Sequence, residues 1–88
     1  MNRDSLDALI AHESAELRAA FPQISKCRAR METLNEGESR RYSLLLDIHL
    51  PQHQSLISGK SKHDAHAAVF AAFEEARRRL DEATRRAA

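Results

Sequence analysis

The fold is decided by the stretch from residue 64 to residue 86, which reads DAHAAVFAAFEEARRRLDEATRR. Its apolar side chains recur at the spacing of one helix face: Val69, Phe73, Ala76, Leu80 and Ala83. Asp64 can cap the N-terminus of such a helix, and neither glycine nor proline interrupts it. A long helix with one apolar face needs a surface that covers this face, so the rest of the chain has to supply that surface.

The length and composition of the chain predict one small domain. We expect all 88 residues, 1–88, to form it. Hydrophobic residues make up 42% of the chain but aromatic residues only 5%, so the core should be mostly aliphatic. The single cysteine, Cys27, excludes an internal disulfide and suits a reducing compartment. Because the sequence contains neither a signal-peptide core nor an apolar run near the ~20 residues of a membrane span, we expect a cytoplasmic protein.

The first half of the chain predicts a helix followed by a strand. Apolar residues keep helical phase from Leu6 to Phe21, and Pro22 ends the helix. From Ile24 the apolar period changes to two, which is typical of a half-buried strand. A polar turn that contains a glycine follows at residues 35–39.

The second half adds two strands before the long helix. The strongest strand pattern runs from Arg41 to Leu50, and a weaker strand is predicted around Gln54 to Ser58. The element order is therefore α-β-β-β-α. We predict an α+β fold in which two helices cover one face of a three-stranded antiparallel sheet.

Positive charge is concentrated in the middle of the chain. Residues 23–63 carry seven basic and four acidic side chains, although the formal net charge of the whole chain is only +1. Arg28 and Arg30 project from one face of the first predicted strand, and Lys60 and Lys62 flank the loop before the second helix. Basic residues on several elements indicate contacts with RNA phosphates. Charged residues that protect a sheet edge from aggregation are the alternative interpretation.

The second helix carries further candidate RNA contacts. Arg78 and Arg85 lie seven residues apart on the face opposite the apolar stripe, and Arg77 lies on its flank. The alternative is a solvated face, stabilised without any ligand by acid-before-base pairs at i,i+4 spacing. Four such pairs are present: Glu74–Arg78, Glu75–Arg79, Asp81–Arg85 and Glu82–Arg86.

Four runs of the sequence, taken in order, resemble a known family. The runs are LRAAF at residues 17–21, ISKCRA at 24–29, RYSLLLDIHLP at 41–51 and AFEEARRRLD at 72–81. They resemble the ribosome hibernation-promoting factors, also called ribosome-associated inhibitor A or sigma modulation proteins. The resemblance covers nearly the whole chain and rests on the order of the elements together with the strand-to-helix run.

The resemblance implies a β-α-β-β-β-α domain that binds the small ribosomal subunit. There it would contact ribosomal RNA where messenger and transfer RNA lie, and silence translation in resting or stressed cells. It implies a binding protein without catalysis or cofactor, not an enzyme. The residues that we expect to contact RNA are Arg28, Arg30, Lys60, Lys62, Arg77, Arg78 and Arg85.

This sequence departs from the family pattern in two places. The family's first strand is missing, because residues 1–4 lead almost directly into the first helix. A sheet without that strand has a vacant edge, which could pair with another chain to form a homo-oligomer. The family's first helix usually carries basic residues, whereas this helix carries Glu13 and Glu16, which would repel phosphates.

Other interpretations come from different classes of protein. The order α-β-β-β-α is also that of double-stranded-RNA-binding domains, and GKSKH at residues 59–63 resembles their basic helix start. A diverged family member that acts through protein contacts, as an oligomerisation module, is a further alternative. The five histidines show no zinc-ligand spacing, and no serine or cysteine arrangement marks a nucleophile, so we expect no metal site and no catalytic residue.

Overall fold

A computed structural model describes residues 3–87 of the chain, with the side chains of residues 5–35 and 37–86. It contains two helices and three strands: α1 (Arg3–Ala20), β1 (Lys26–Glu36), β2 (Ser39–His49), β3 (Gln54–Ser58) and α2 (Ala65–Ala87). The predicted α+β class and the α-β-β-β-α order are therefore confirmed. Neither described helix combines the length and the apolar composition that a membrane span requires.

The three strands form one antiparallel sheet in the order β1-β2-β3. Strands β1 and β2 pair along their whole length, from Lys26 opposite His49 to Glu36 opposite Ser39. Two residues connect them, and the first, Gly37, has a φ of 61°. A positive φ at this position is what a type II′ hairpin turn requires, and glycine adopts it without steric cost.

Alternation along the strands builds the core on one face of the sheet. Leu44, Leu46 and Ile48 of β2 are fully buried, whereas the residues between them are only half-buried. Helix α2 packs on this face against β2 and β3, and α1 packs against α2 and β1. The two helices thus cover one face, as predicted.

Helix α2 contributes the largest share of the core through the stripe that the sequence predicted. Val69, Phe73 and Ala76 are fully buried and Leu80 is nearly so. Ala83 was expected in this stripe but is exposed, because the buried cluster ends at Leu80.

The N-terminus of α2 is capped as the sequence predicts. The carboxylate of Asp64 accepts a hydrogen bond from the His66 amide at 3.2 Å, and its carbonyl accepts one from the Ala68 amide at 3.0 Å. The side-chain bond satisfies an amide that has no partner within the helix, and the carbonyl bond is the first bond of the helix itself.

The end of β3 approaches the backbone of α2 very closely. A Cβ atom at Gly59 would lie 2.5 Å from the amide nitrogen of Ala72, so only glycine fits here without movement. Beyond this point Lys62 returns to the sheet and exchanges two backbone hydrogen bonds with Tyr42, at 2.7 and 2.8 Å. The residues between Ser58 and Lys62 therefore bulge out of the sheet and form the rim beside α2.

Candidate nucleic-acid interface

The side of the sheet that faces away from the helices carries the first candidate surface. We call it the open face; Arg28, Arg30, Leu45 and Leu56 lie on it. The register places Arg28 opposite Asp47 and Arg30 opposite Leu45. Both arginines are exposed, and neither forms a salt bridge with a described side chain. The two arginines share one exposed face of the strand, as predicted from their period-two spacing.

Two acidic side chains, Glu32 and Asp47, lie on the open face. Asp47 accepts a hydrogen bond from Gln54 Nε2 at 2.6 Å and lies 3.3 Å from His49 Nε2. The bond from Gln54, helped by His49 and by the charge of Arg28, holds the pKa of Asp47 below its ordinary value. Asp47 therefore stays ionised near neutral pH and partly offsets the positive charge of its neighbour Arg28.

A second candidate surface lies between the bulge after β3 and α2. We call it the loop groove; its lining includes Ser58, Lys60, Lys62, Glu74, Glu75 and Arg78. The structure thus brings together three of the predicted RNA-binding residues, Lys60, Lys62 and Arg78. No described acidic side chain forms a salt bridge with either lysine. The two glutamates on the helix side lower the net positive charge of the groove.

Arg78 is already engaged within α2. Its guanidinium donates hydrogen bonds to both carboxylate oxygens of Glu75 and, at 2.9 Å, to Glu82. Arg79 donates a further bond to Glu75 at 3.0 Å. The bond from Arg78, followed by the bond from Arg79, is the main cause that lowers the pKa of Glu75. The same Arg78–Glu75 bond raises the pKa of Arg78.

The predicted i,i+4 pairs of this helix form only in part. Among the described side chains, the pair Glu75–Arg79 is present, whereas Arg78 bonds to Glu75 and Glu82 instead of Glu74. The reason is geometric, because Glu75 can reach residues three and four positions further along the same face. Part of the arginine-rich face is thus neutralised within the helix.

Arg77 links the two helices. Its guanidinium lies 3.5 Å from the carboxylate of Glu13 in α1, whose side chain is only 12% exposed. The acidic residue that was expected to repel RNA is therefore shielded and compensated by one of the expected RNA contacts. Glu16 remains exposed on α1, 3.9 Å from the ring of His12.

The seven predicted residues do not form one continuous surface. Arg28 and Arg30 lie on the open face, Lys60 and Lys62 line the loop groove, and Arg85 is exposed near the end of α2. The open face also carries a cation that the sequence argument overlooked, Lys26, which is exposed at the start of β1. The same period-two spacing from Arg28 would have identified it.

Metal binding and thiol chemistry were the other kinds of site considered from the sequence. In residues 5–35 and 37–86 no group of three histidine, cysteine or acidic side chains is arranged to bind a metal ion. Cys27 is half-buried on the helix-facing side of β1, and its burial raises the pKa of the thiol. A protonated, half-buried thiol is a poor nucleophile at neutral pH.

A comparison with models of known protein families gave no match, and no curated protein matched the sequence. The resemblance to the hibernation-promoting factors therefore remains a prediction from the residues.

Proposed function

We propose that this protein binds ribosomal RNA on the small ribosomal subunit and silences or modulates translation under stress. It acts by occupying an RNA surface, without a catalytic step or a cofactor. This role would place the protein in the cytoplasm. The proposal is supported by the order α-β-β-β-α, which is that of the resembled family without its first strand, and by the distribution of the cations that form no salt bridge with a described side chain.

That distribution is the observation that carries the proposal. Cations that form no salt bridge with a described side chain lie on two separate surfaces: Arg28 and Arg30 on the open face, and Lys60 and Lys62 in the loop groove beside α2. A partner that contacts only one of these surfaces leaves the cations of the other without a phosphate. A cleft in folded RNA can contact both surfaces. The arrangement therefore favours a ribosomal cleft over a double-stranded-RNA-binding domain.

The seven candidate residues have unequal roles in this proposal. Arg28, Arg30, Lys60, Lys62 and Arg85 provide the charges that replace counterions on the phosphates. Arg78 is committed to two glutamates, and Arg77 compensates the acidic Glu13. Arg77 and Arg78 would then stabilise the helices through these ion pairs. They would add less to RNA affinity than the five cations named above.

The test is co-sedimentation with purified small ribosomal subunits across a salt series. We expect binding that weakens linearly on a plot of log affinity against log salt concentration, with a slope of roughly −3.5 to −4.5 for about five phosphate contacts. Absence of binding at low salt would refute the proposal. Equal affinity for naked duplex RNA would favour the double-stranded-RNA-binding alternative.

Two variants that each remove one positive charge from the loop groove provide a matched comparison. Lys62→Gln should weaken binding and make the slope of log affinity against log salt concentration less steep by the contribution of about one phosphate contact. Arg78→Gln should have the smaller effect, because its guanidinium is bonded to Glu75 and Glu82 and is not free to contact a phosphate. An Arg78→Gln effect larger than that of Lys62→Gln would contradict the assignment of these two roles.

A second candidate function, a protein-interaction module, is favoured by apolar side chains on the open face. Leu56 is 62% exposed and Leu34 is 44% exposed. A partner chain that docks on the open face would cover these apolar side chains. Self-association in the absence of any affinity for ribosomal subunits would support this function.

A further inference from the structure

The outer edge of β1 is a long unpaired strand edge. In the described part of the chain β1 pairs with β2 on one side only, and none of its 11 residues is a proline that would block another strand. Such an edge offers a row of backbone N–H and C=O groups to a further strand.

The hydrogen bonds of β2 show which residues of β1 face this edge. Tyr42 exchanges its backbone hydrogen bonds with Lys62 on the β3 side. Because the bonding direction alternates along an antiparallel strand, Ser43 directs its groups toward β1, where Glu32 is its partner. Glu32 therefore bonds inward, and its neighbours Met31 and Thr33 direct their N–H and C=O groups to the free edge.

A groove runs beside the free edge on the helix side of the sheet. It is lined by Leu6, Asp7 and Ile10 of α1 and by Ala29, Met31 and Thr33 of β1, with Arg30 at its border. Leu6, Ile10 and Met31 are hydrophobic residues that are only partly buried. A strand added at this edge would cover them, so the edge combines unpaired backbone groups with apolar surface.

We propose that this edge pairs with β1 of a second copy of the chain, antiparallel and centred on Met31. Met31 is the midpoint of Lys26–Glu36. In this register every residue of β1 therefore lies opposite a residue of β1 in the second copy. This register brings Met31 opposite Met31, and Arg30 opposite Glu32 of the second copy. Two-fold symmetry repeats the second contact, so the interface contains two pairs of opposite charge on the open face.

The charges of β1 disfavour the neighbouring registers. Centring the pair on residue 30 would place Arg30 opposite itself, and centring it on residue 32 would place Glu32 opposite itself. Centring it on Ala29 would place Arg28 opposite Arg30. Like charges directly opposite each other destabilise a strand pair. Among the registers centred on residues 29, 30, 31 and 32, only the one centred on residue 31 therefore places opposite charges across from each other without a pair of like charges.

The paired sheet would have six strands, with both copies of α1 on the same side of it. A two-fold axis perpendicular to the sheet passes between the two Met31 residues and places Leu6 and Ile10 of each copy beside the seam. Arg28 lies opposite Leu34, whose exposed side chain gains an aliphatic contact from the arginine stem. The association does not require RNA and is therefore independent of the proposed function.

Charge reversal at the central pair tests the register. Arg30→Glu and Glu32→Arg each convert two attractive pairs into repulsive pairs, and we expect each to weaken dimerisation about thirtyfold. The double variant Arg30→Glu/Glu32→Arg should restore it. Arg86→Glu, an equal change of charge on the exposed end of α2, should leave it unchanged. Dimerisation is measured by sedimentation velocity over a concentration series, with far-UV circular dichroism as the check of folding.

Cross-linking at the centre of the seam provides a second measurement. Hydrogen-bonded antiparallel partners have Cα atoms about 5.5 Å apart, within the range of about 4.4–6.8 Å that a disulfide spans. In a Cys27→Ser background, Met31→Cys should therefore form a disulfide-linked dimer under mild oxidation. Thr33→Cys should not, because its two copies would lie about 14 Å apart. A protein that stays monomeric into the millimolar range, or equal cross-linking of both cysteine variants, would overturn the proposal.

Discussion

Replacing Gly59 by alanine tests how the sheet is held against the second helix. The added Cβ would lie 2.5 Å from the amide nitrogen of Ala72 and 2.7 Å from the carbonyl carbon of Ala71. Ordinary van der Waals contacts begin at 3.4 Å. Both obstructing atoms belong to the backbone of α2, so the helix and the end of β3 have to separate by roughly 1 Å.

Such a separation weakens the packing of a fully buried part of α2. Val69, Ala72 and Phe73 face the sheet from these turns of the helix and are completely inaccessible to solvent. A gap of about 0.5–1 Å forfeits a quarter to a half of the attraction between atoms that were in contact. We therefore expect Gly59→Ala to lower the free energy of unfolding by about 2–3 kcal/mol.

Urea unfolding followed by far-UV circular dichroism measures this loss. The control is Gly37→Ala in the hairpin turn, where no atom lies within 4 Å of the added Cβ but the φ of 61° is retained. Its expected cost is about 1–2 kcal/mol, from the backbone strain of a positive φ alone. If Gly59→Ala destabilises the protein no more than Gly37→Ala does, the close approach of β3 to α2 is not a packing constraint and the reasoning fails.

Three further outcomes are expected. Phe73→Ala should cost about 3–5 kcal/mol of unfolding free energy, because it leaves a cavity at the centre of the core; urea unfolding measures it, and a loss below about 1 kcal/mol would contradict the burial of this ring. The pKa values of Asp47 and Glu75 are lowered in the folded protein, so the stability they contribute is present above their ordinary values of 3.8 and 4.5 and is lost as the pH falls through the lower folded values. Asp47→Asn should accordingly flatten the acid limb of a plot of stability against pH, and an unchanged limb would argue against the bond from Gln54. Cys27 should react with iodoacetamide more slowly than free cysteine at neutral pH, because its thiol is half-buried and its pKa is raised; urea should remove the difference.

The sequence predicted which face of its strand or loop each candidate cation occupies, but not which acid–base pairs form. The period-two spacing of Arg28 and Arg30 placed them correctly on one face of a strand, and the proximity of Lys60 and Lys62 to α2 follows from their position before the helix. The sequence also provided four equivalent-looking acid–base pairs on α2. Which of them form depends on rotamers that compete for the same glutamate, and Glu75 binds both Arg78 and Arg79.

The pairing of Arg77 with Glu13 could not be predicted from sequence patterns. The two residues are 64 positions apart, on helices whose rotation about their axes is fixed only when both pack on the sheet. The sequence therefore suggested an acidic residue that repels RNA and an arginine that binds it. The folded chain places the two groups against each other.

The sequence by itself determined the class of the fold and the order of its elements. Helix and strand periods, the cap at Asp64 and the breaks at Pro22 and residues 35–39 are local features, and local features specify which face of each element is apolar. Only the tertiary structure decided which charges remain free, which groove Lys60 and Lys62 share, and that Gly59 has to lie against α2. These properties depend on distances between elements far apart in the chain, and those distances are set by how the side chains of all elements fill one common core.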